Sequence, residues 1–122
     1  MNISIKTTGI ELTPALSDYA TEKIRSLERF LLSFDQSAVI VEIEIGKTTK
    51  HHKLGDVFRA EVNLSYPGNN LRAETEQEDL YAAIDIVKDN LAEEIHEKNR
   101  KKNSLFRRGG RILKRILRFG RE

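Results

Sequence analysis

Apolar and polar residues alternate in four stretches of the chain, the pattern of a β-strand with one buried face. These stretches are residues 2–6, 38–46, 58–66 and 71–75. A polar loop at 47–56 separates the second stretch from the third, and the turn Pro67-Gly68-Asn69-Asn70 separates the third from the fourth. The alternation therefore predicts four strands.

Apolar residues recur at steps of three and four in two further stretches, as they do on an amphipathic helix. The first begins at Thr13-Pro14, a capping residue followed by proline in the first turn, and extends to about Leu32. The second runs from Thr75 to Lys102, and the spacing of Thr75 and Glu78 predicts a capping box at its start.

The apolar stripe of the second helix indicates where that helix leaves the globular body. Leu80, Ile84, Val87, Leu91 and Ile95 form the stripe, and beyond them the same side carries Lys98, Lys101 and Lys102. A buried, unpaired lysine is very costly. We therefore expect the helix to pass into solvent, or onto an anionic partner, near Ile95.

The order β-α-β-β-β-α predicts an α+β domain of two layers, a four-stranded sheet with both helices on one face. The other face of the sheet is polar and carries no aromatic residue, unlike sheets that stack RNA bases on aromatics. Its residues are Asn2, Ser4, Glu42, Glu44, Arg59, Glu61, Asn63, Arg72 and Glu74.

Charge divides the chain unevenly. Residues 98–122 carry eleven Lys and Arg against Glu122, a net charge of +10, whereas residues 1–97 carry ten basic and eighteen acidic residues, a net charge of −8. This asymmetry favours a polyanionic partner, with nucleic acid ahead of an anionic membrane. We expect a domain at 1–102 and a flexible basic tail at 103–122, interrupted at Gly109-Gly110 and disordered until a partner binds.

No group of residues predicts catalysis, a metal or a cofactor. There is no cysteine and no glycine-rich phosphate loop, and neighbouring His51 and His52 have no third ligand near in sequence. Asp85 and Asp89 are assigned to a solvated helix face. The first residues lack a signal peptide's long apolar segment and no apolar run is long enough to cross a bilayer, so we expect a cytoplasmic protein. Because no group of residues predicts catalysis, we expect that the protein is not an enzyme.

Basic residues on the first helix form a candidate edge for binding phosphate. Lys23 projects close to the apolar side of the helix, so its side chain must extend until the amine reaches the edge of that side. An ordinary lysine at the edge of a buried helix face does the same, and a lysine that contacts phosphate is the alternative. Arg29 lies further round the helix and Arg25 faces outward. Together the three residues predict a basic edge.

Two segments carry a family resemblance together with the order of elements around them, namely ELTPALSDYATEKIRSLERF (11–30) and GNNLRAETEQEDLYAAIDIVKDNL (68–91). They resemble the ribosome hibernation-promoting and ribosome-associated inhibitor proteins of bacteria and plastids, over residues 1–102. The resemblance implies binding to the small ribosomal subunit and the 70S ribosome, in the groove of the mRNA and the A- and P-site tRNAs. It also implies blocked translation, preserved idle ribosomes and a short form without the second domain of long members.

The resemblance also implies which residues contact 16S-type rRNA. Lys23 and Arg29 match basic positions of the first helix, Ser26 matches another without a charge, and Asn90, Glu93 and Glu97 stand where relatives often have Lys or Arg. We expect other basic residues to take part: Arg25, Lys88, Lys98, Arg100, Lys101, Lys102, Arg107, Arg108, Arg111, Lys114, Arg115 and Arg118.

Two other functions fit parts of the pattern. The order after the first strand, α-β-β-β-α, resembles a double-stranded-RNA-binding domain, which favours a general RNA-binding or chaperone protein. The segment RILKRILRF (111–119) is basic and amphipathic, as interfacial membrane anchors are, although one short helix anchors weakly. The membrane ranks last among the expected partners, and no small-molecule substrate is expected.

Overall fold

The computed structural model describes residues 1–48 and 55–119, with side chains described as far as Lys102. The strands are β1 (Asn2–Thr8), β2 (Ile40–Thr48), β3 (Val57–Tyr66) and β4 (Asn69–Gln77), and the helices are α1 (Pro14–Arg25) and α2 (Leu80–Phe119). Two 3₁₀ turns, Ser26–Phe30 and Gln36–Ala38, lie between α1 and β2. The predicted order β-α-β-β-β-α is confirmed.

The four strands form one sheet in the order β1-β2-β3-β4. β1 and β2 are parallel, as expected for two strands joined through a helix, and the other two pairings are antiparallel. The β3–β4 hairpin turns at Pro67 and Gly68, where Gly68 has a φ of +79° that glycine adopts without strain.

One face of the sheet is buried beneath both helices, which confirms the two-layer α+β fold. Its central strands alternate as predicted, with Val41, Ile43 and Ile45 buried on β2 and Ala60, Val62 and Leu64 on β3. The helices bury Leu16, Ala20 and Ile24 of α1 and Ala83, Ile84, Val87, Leu91 and Ile95 of α2. Ile95 is the last buried residue among those described, so the prediction that the apolar stripe ends there is confirmed.

The start of α2 differs from the prediction. Thr75 belongs to β4, so the capping box expected from Thr75 and Glu78 is wrong. The helix begins at Leu80, and Asp79 Oδ1 accepts a hydrogen bond of 3.0 Å from the backbone N–H of Tyr81. Thr75 is kept in the strand by its pairing with Ala60. The tertiary pairing therefore overrides the local capping pattern.

The chain divides into two compact units, Met1–Ala92 and a second that begins at Glu93. The backbone of α2 is helical through Gly109 and Gly110, so the interruption expected there is absent. These residues extend a helix that already exists, and they avoid the cost of nucleating a new one. The expected division into a domain at 1–102 and a flexible tail stays a prediction.

The polar face of the sheet holds a network of charged side chains. Glu61 and Glu74 lie opposite each other on β3 and β4, an unfavourable pairing of like charges. Arg59 contacts Glu61 at 2.6 Å and Glu74 at 2.7 Å, and Arg72 contacts the same two glutamates at 2.8 and 3.0 Å. The two arginines thus balance the two carboxylates within the sheet.

Candidate nucleic-acid interface

The start of α1 fixes which of its side chains face outward. Thr13 Oγ1 accepts a hydrogen bond of 3.2 Å from the backbone N–H of Leu16, and Pro14 occupies the first turn, where its missing N–H does no harm. Leu16, Ala20 and Ile24 then face the sheet. Residues between these positions, among them Tyr19 and Lys23, are left at the boundary with solvent.

α1 and α2 lie side by side. Their contacts show that they run in the same direction, since Tyr19 meets Tyr81 and, one turn further along both helices, Lys23 meets Asp85. The rings of Tyr19 and Tyr81 meet edge to face, with 4.8 Å between their centroids and an angle of 82°. One turn along, the hydroxyl of Tyr19 donates a hydrogen bond of 2.6 Å to Asp85 Oδ1. Lys23 Nζ lies 3.5 Å from the same oxygen.

The hydrogen bond from Tyr19 also changes its acidity. The acceptor Asp85, with smaller contributions from burial and from the carboxylate's charge, raises the pKa of Tyr19 to about 12. Tyr19 is therefore a neutral donor over the physiological range. The sequence assigned Asp85 to a solvated helix face, and the structure shows in addition that Asp85 is half-buried and contacts both Tyr19 and Lys23.

Lys23 keeps considerable access to solvent. The side chains of Lys23 and Asp85 are 41% and 43% exposed, and such ion pairs contribute little to stability in water. The amine also lies 5.5 Å from the centroid of the Tyr19 ring, within range of a cation–π interaction. A phosphate oxygen can therefore replace Asp85 as the partner of Lys23 at small energetic cost.

Three of the predicted basic residues line one surface groove beyond this cluster. The groove is lined by Arg25 at the end of α1, Arg29 in the 3₁₀ turn that follows and Lys88 of α2, so its cations come from both helical segments. The rest of the lining is Ser26, Glu28 and Leu32. The guanidinium of Arg29 lies 4.6 Å from the centroid of the Phe30 ring. Lys88 Nζ is 3.3 Å from Asp89, whose side chain is 69% exposed. We call this feature the basic groove.

The remaining predicted residues lie on the unit that begins at Glu93. Lys98, Arg100, Lys101 and Lys102 are exposed, and Lys101 Nζ lies 3.5 Å from Glu97. Glu93 and Glu97 share a surface pocket with His96, Asn99 and Arg100, so acidic groups accompany the cations here. Arg107, Arg108, Arg111, Lys114, Arg115 and Arg118 lie on the α2 backbone, but their side chains are outside the described residues.

Metal chemistry finds no support in the part of the chain that is described, where no group of His, Asp or Glu is arranged to hold a metal ion. His51 and His52 lie outside the described residues. Among the described residues, none of the helices has the length and apolar character needed to cross a membrane.

Tyr19, Tyr81 and Asp85 were not among the predicted site residues. Their signal in the sequence is a shared spacing, since Tyr19 and Lys23 are four apart, as are Tyr81 and Asp85. Residues four apart lie on one helical face, but sequence alone does not say that these two faces meet.

The fold and the basic groove define a class, an α+β protein whose two parallel helices present cations along one side. Residues 3–103 match the family model described as sigma 54 modulation protein / S30EA ribosomal protein, and the chain belongs to that family. This confirms the resemblance recognised from residues 11–30 and 68–91.

Known relatives agree with this assignment. The chain is 34% identical over 110 residues to the ribosome hibernation promotion factor of Bacillus subtilis, covering 90% of this chain but only 54% of that protein. It is 33% identical to the ribosome hibernation promoting factor of Klebsiella oxytoca, covering 78% of this chain and 90% of that one. The N-terminal domain of Thermus thermophilus Protein Y superposes with a TM-score of 0.66 at 30% identity, covering 78% of this chain and 96% of that domain.

Proposed function

We propose that this protein is a ribosome hibernation factor that binds the small ribosomal subunit through 16S-type rRNA. The observation that carries the proposal is the basic groove, in which Arg25 and Arg29 meet Lys88 of α2. The curated relatives named above are hibernation factors, which supports the same function.

The proposed site on the ribosome is the groove that holds the mRNA and the A- and P-site tRNAs. The unit Met1–Ala92 is a packed body, and its core includes Leu27, Leu31 and Val39 with no exposed surface. A rigid body seated there excludes tRNA and mRNA by its volume alone, which needs no catalytic residue. Translation then stops, and the idle 70S ribosome in the cytoplasm is preserved.

Affinity in this proposal comes mainly from phosphate contacts. Each contact made by Lys or Arg releases counterions, so binding weakens as salt rises. Lys23 and the basic groove supply contacts from the body, and the net charge of +10 on residues 98–122 supplies a second anchor. Because Glu93 and Glu97 lie among the cations of α2, the body contacts are expected to centre on the basic groove.

Co-sedimentation with purified 30S subunits, 50S subunits and 70S ribosomes tests the proposal. The full chain should sediment with 30S and 70S but not with 50S, and its occupancy should fall as salt is raised. Ribosomes already loaded with mRNA and with tRNA in the A and P sites should bind much less protein.

The competing function is general RNA binding, and the same experiment separates the two. A short RNA duplex is added as competitor at a matched phosphate concentration. If the duplex displaces the protein from 70S ribosomes as efficiently as unlabelled ribosomes do, or if loaded ribosomes bind it equally well, binding at the tRNA groove is contradicted.

A further inference from the structure

The helix pair carries a second feature beside the basic groove, an exposed aromatic ring. Tyr19 and Lys23 are one helical turn apart and form a row on α1. Tyr81, Asp85 and Lys88 are likewise spaced by one turn and form a row on α2. The contacts between Tyr19 and Tyr81, and between Lys23 and Asp85, align the two rows. Because an α-helix rises about 1.5 Å per residue, the backbone positions of Tyr81 and Lys88 are about 10 Å apart along α2.

Tyr81 lies in the first turn of α2 and is one of the exposed large side chains among the described residues. It is 41% exposed, whereas Tyr66 of the sheet is 3% exposed. Its backbone N–H is fixed by Asp79, and its ring meets Tyr19, whose hydroxyl is held by Asp85. Tyr81 thus presents an exposed ring that contacts Tyr19, and Tyr19 is in turn held by Asp85.

The surroundings of Tyr81 indicate the chemistry of a partner. An aromatic ring accepts a planar base by stacking, and a cation beside it accepts the phosphate of the same strand. Lys23 supplies the cation next to the tyrosine pair, and the basic groove continues the positive charge along the same helices. A double-stranded RNA would offer phosphates but no unstacked base.

We propose that Tyr81 is a stacking site for one unpaired RNA base, with Lys23 contacting the adjoining phosphate and the basic groove receiving the rest of the strand. The inference rests on the proposed function in taking RNA as the partner, and it adds that the RNA is single-stranded at this point. Tyr19 and Asp85 act as positioning residues, since they hold the Tyr81 ring and the Lys23 amine.

The test compares the full-length protein with the variants Tyr81→Leu, Tyr81→Gln and Tyr81→Phe. Ile40→Ala is the matched control, since Ile40 is 48% exposed and lies at the start of β2. Binding is measured to a labelled oligoadenylate, to a duplex of similar length and to 70S ribosomes. Thermal unfolding of each variant shows that it is folded, and two non-aromatic replacements guard against one failing to fold.

Loss of one stacked base should weaken binding to the oligoadenylate and to 70S ribosomes by about 5-fold to 150-fold in Tyr81→Leu and Tyr81→Gln. Tyr81→Phe and Ile40→Ala should bind as the wild type does. Equal binding by Tyr81→Leu, or equal loss in Tyr81→Phe, would overturn the stacking site. A loss confined to ribosomes would also overturn it, because the ring would then contact something other than a free base.

The two proposals fail in different ways. If the wild type binds the oligoadenylate through Tyr81 but does not sediment with ribosomes, the stacking site stands and the ribosome function fails. If ribosomes bind every variant equally, the ribosome function stands and the stacking site fails. If the wild type binds neither the oligoadenylate nor ribosomes, both are overturned.

Discussion

The hydroxyl of Tyr19 donates a hydrogen bond of 2.6 Å to Asp85 Oδ1, and this bond joins α1 to α2 at the point where Lys23 also approaches Asp85. The rings of Tyr19 and Tyr81 also meet edge to face between the two helices, and the apolar residues of both helices are buried. The bond therefore fixes the outer side of the helix pair, where the proposed contacts to RNA lie. Its loss should affect both stability and the placement of Lys23.

Tyr19→Phe removes this hydrogen bond and leaves the ring. Because the acceptor is charged but partly solvated, we expect the free energy of unfolding to fall by about 1 kcal/mol, measured by urea denaturation. The double variant Tyr19→Phe/Asp85→Asn should be destabilised by less than the sum of the two single changes. Strict additivity would show that the two side chains do not interact.

The same bond predicts a loss of stability at high pH. The pKa of Tyr19 is about 12 in the folded protein against an ordinary value of 10.0. A raised folded pKa means that the stabilisation is complete below about pH 10 and is lost as pH rises from 10 towards 12. The difference in the free energy of unfolding between wild type and Tyr19→Phe should shrink between about pH 10 and 12. A constant difference would contradict the hydrogen bond from Tyr19 to Asp85 as the cause of the raised pKa.

Glu61 is the central carboxylate of the charge network on the sheet. Burial raises its pKa, but hydrogen bonds from Arg59, Asn63 and Arg72 outweigh burial and hold the pKa of Glu61 below its ordinary value of 4.5. Glu61→Gln should lower the free energy of unfolding by about 1–2 kcal/mol at neutral pH. Glu42→Gln, an exposed change on neighbouring β2, should stay within about 0.5 kcal/mol.

The lowered pKa of Glu61 also fixes the direction of the pH effect. Its stabilisation is present above about pH 4.5 and is lost as pH falls through the lower folded pKa. Wild type should therefore lose stability faster than Glu61→Gln when acid denaturation is followed below pH 4.5. Parallel curves would show that the network does not stabilise the sheet.

The cap of α2 is a direct test of the corrected helix start. Asp79→Ala removes the acceptor for the Tyr81 backbone N–H and should cost about 1 kcal/mol in thermal or urea unfolding. Glu78→Ala should cost less than about 0.5 kcal/mol, because Glu78 is exposed and lies before the helix. The reverse order of effects would restore the capping box at Thr75 and Glu78.

Periodicity predicted the fold well because each strand and helix has one apolar side. Val41, Ile43 and Ile45 are buried as their alternation requires, and the α2 stripe ends at Ile95 as the lysines beyond it indicate. Two predictions from local sequence were wrong. The capping box at Thr75 is absent because Thr75 pairs with Ala60 in the sheet, and the break at Gly109-Gly110 is absent because α2 continues through both glycines.

The candidate site was only partly predictable for a similar reason. Cations such as Arg25 and Lys88 are visible in the sequence by type, but their shared groove depends on the packing of α1 against α2. Tyr19 and Asp85 are 66 positions apart, and nothing local to either residue indicates their contact.

The most direct test of the central claim is the salt dependence of 70S binding for Arg25→Ala/Lys88→Ala, compared with Lys6→Ala/Lys47→Ala. Both pairs remove two positive charges, but only the first pair lies in the basic groove. The groove variant should bind more weakly and reduce the slope of log K against log salt by about two, while the control keeps the wild-type slope. Equal losses in both variants, or no loss in the groove variant, would contradict binding through the basic groove.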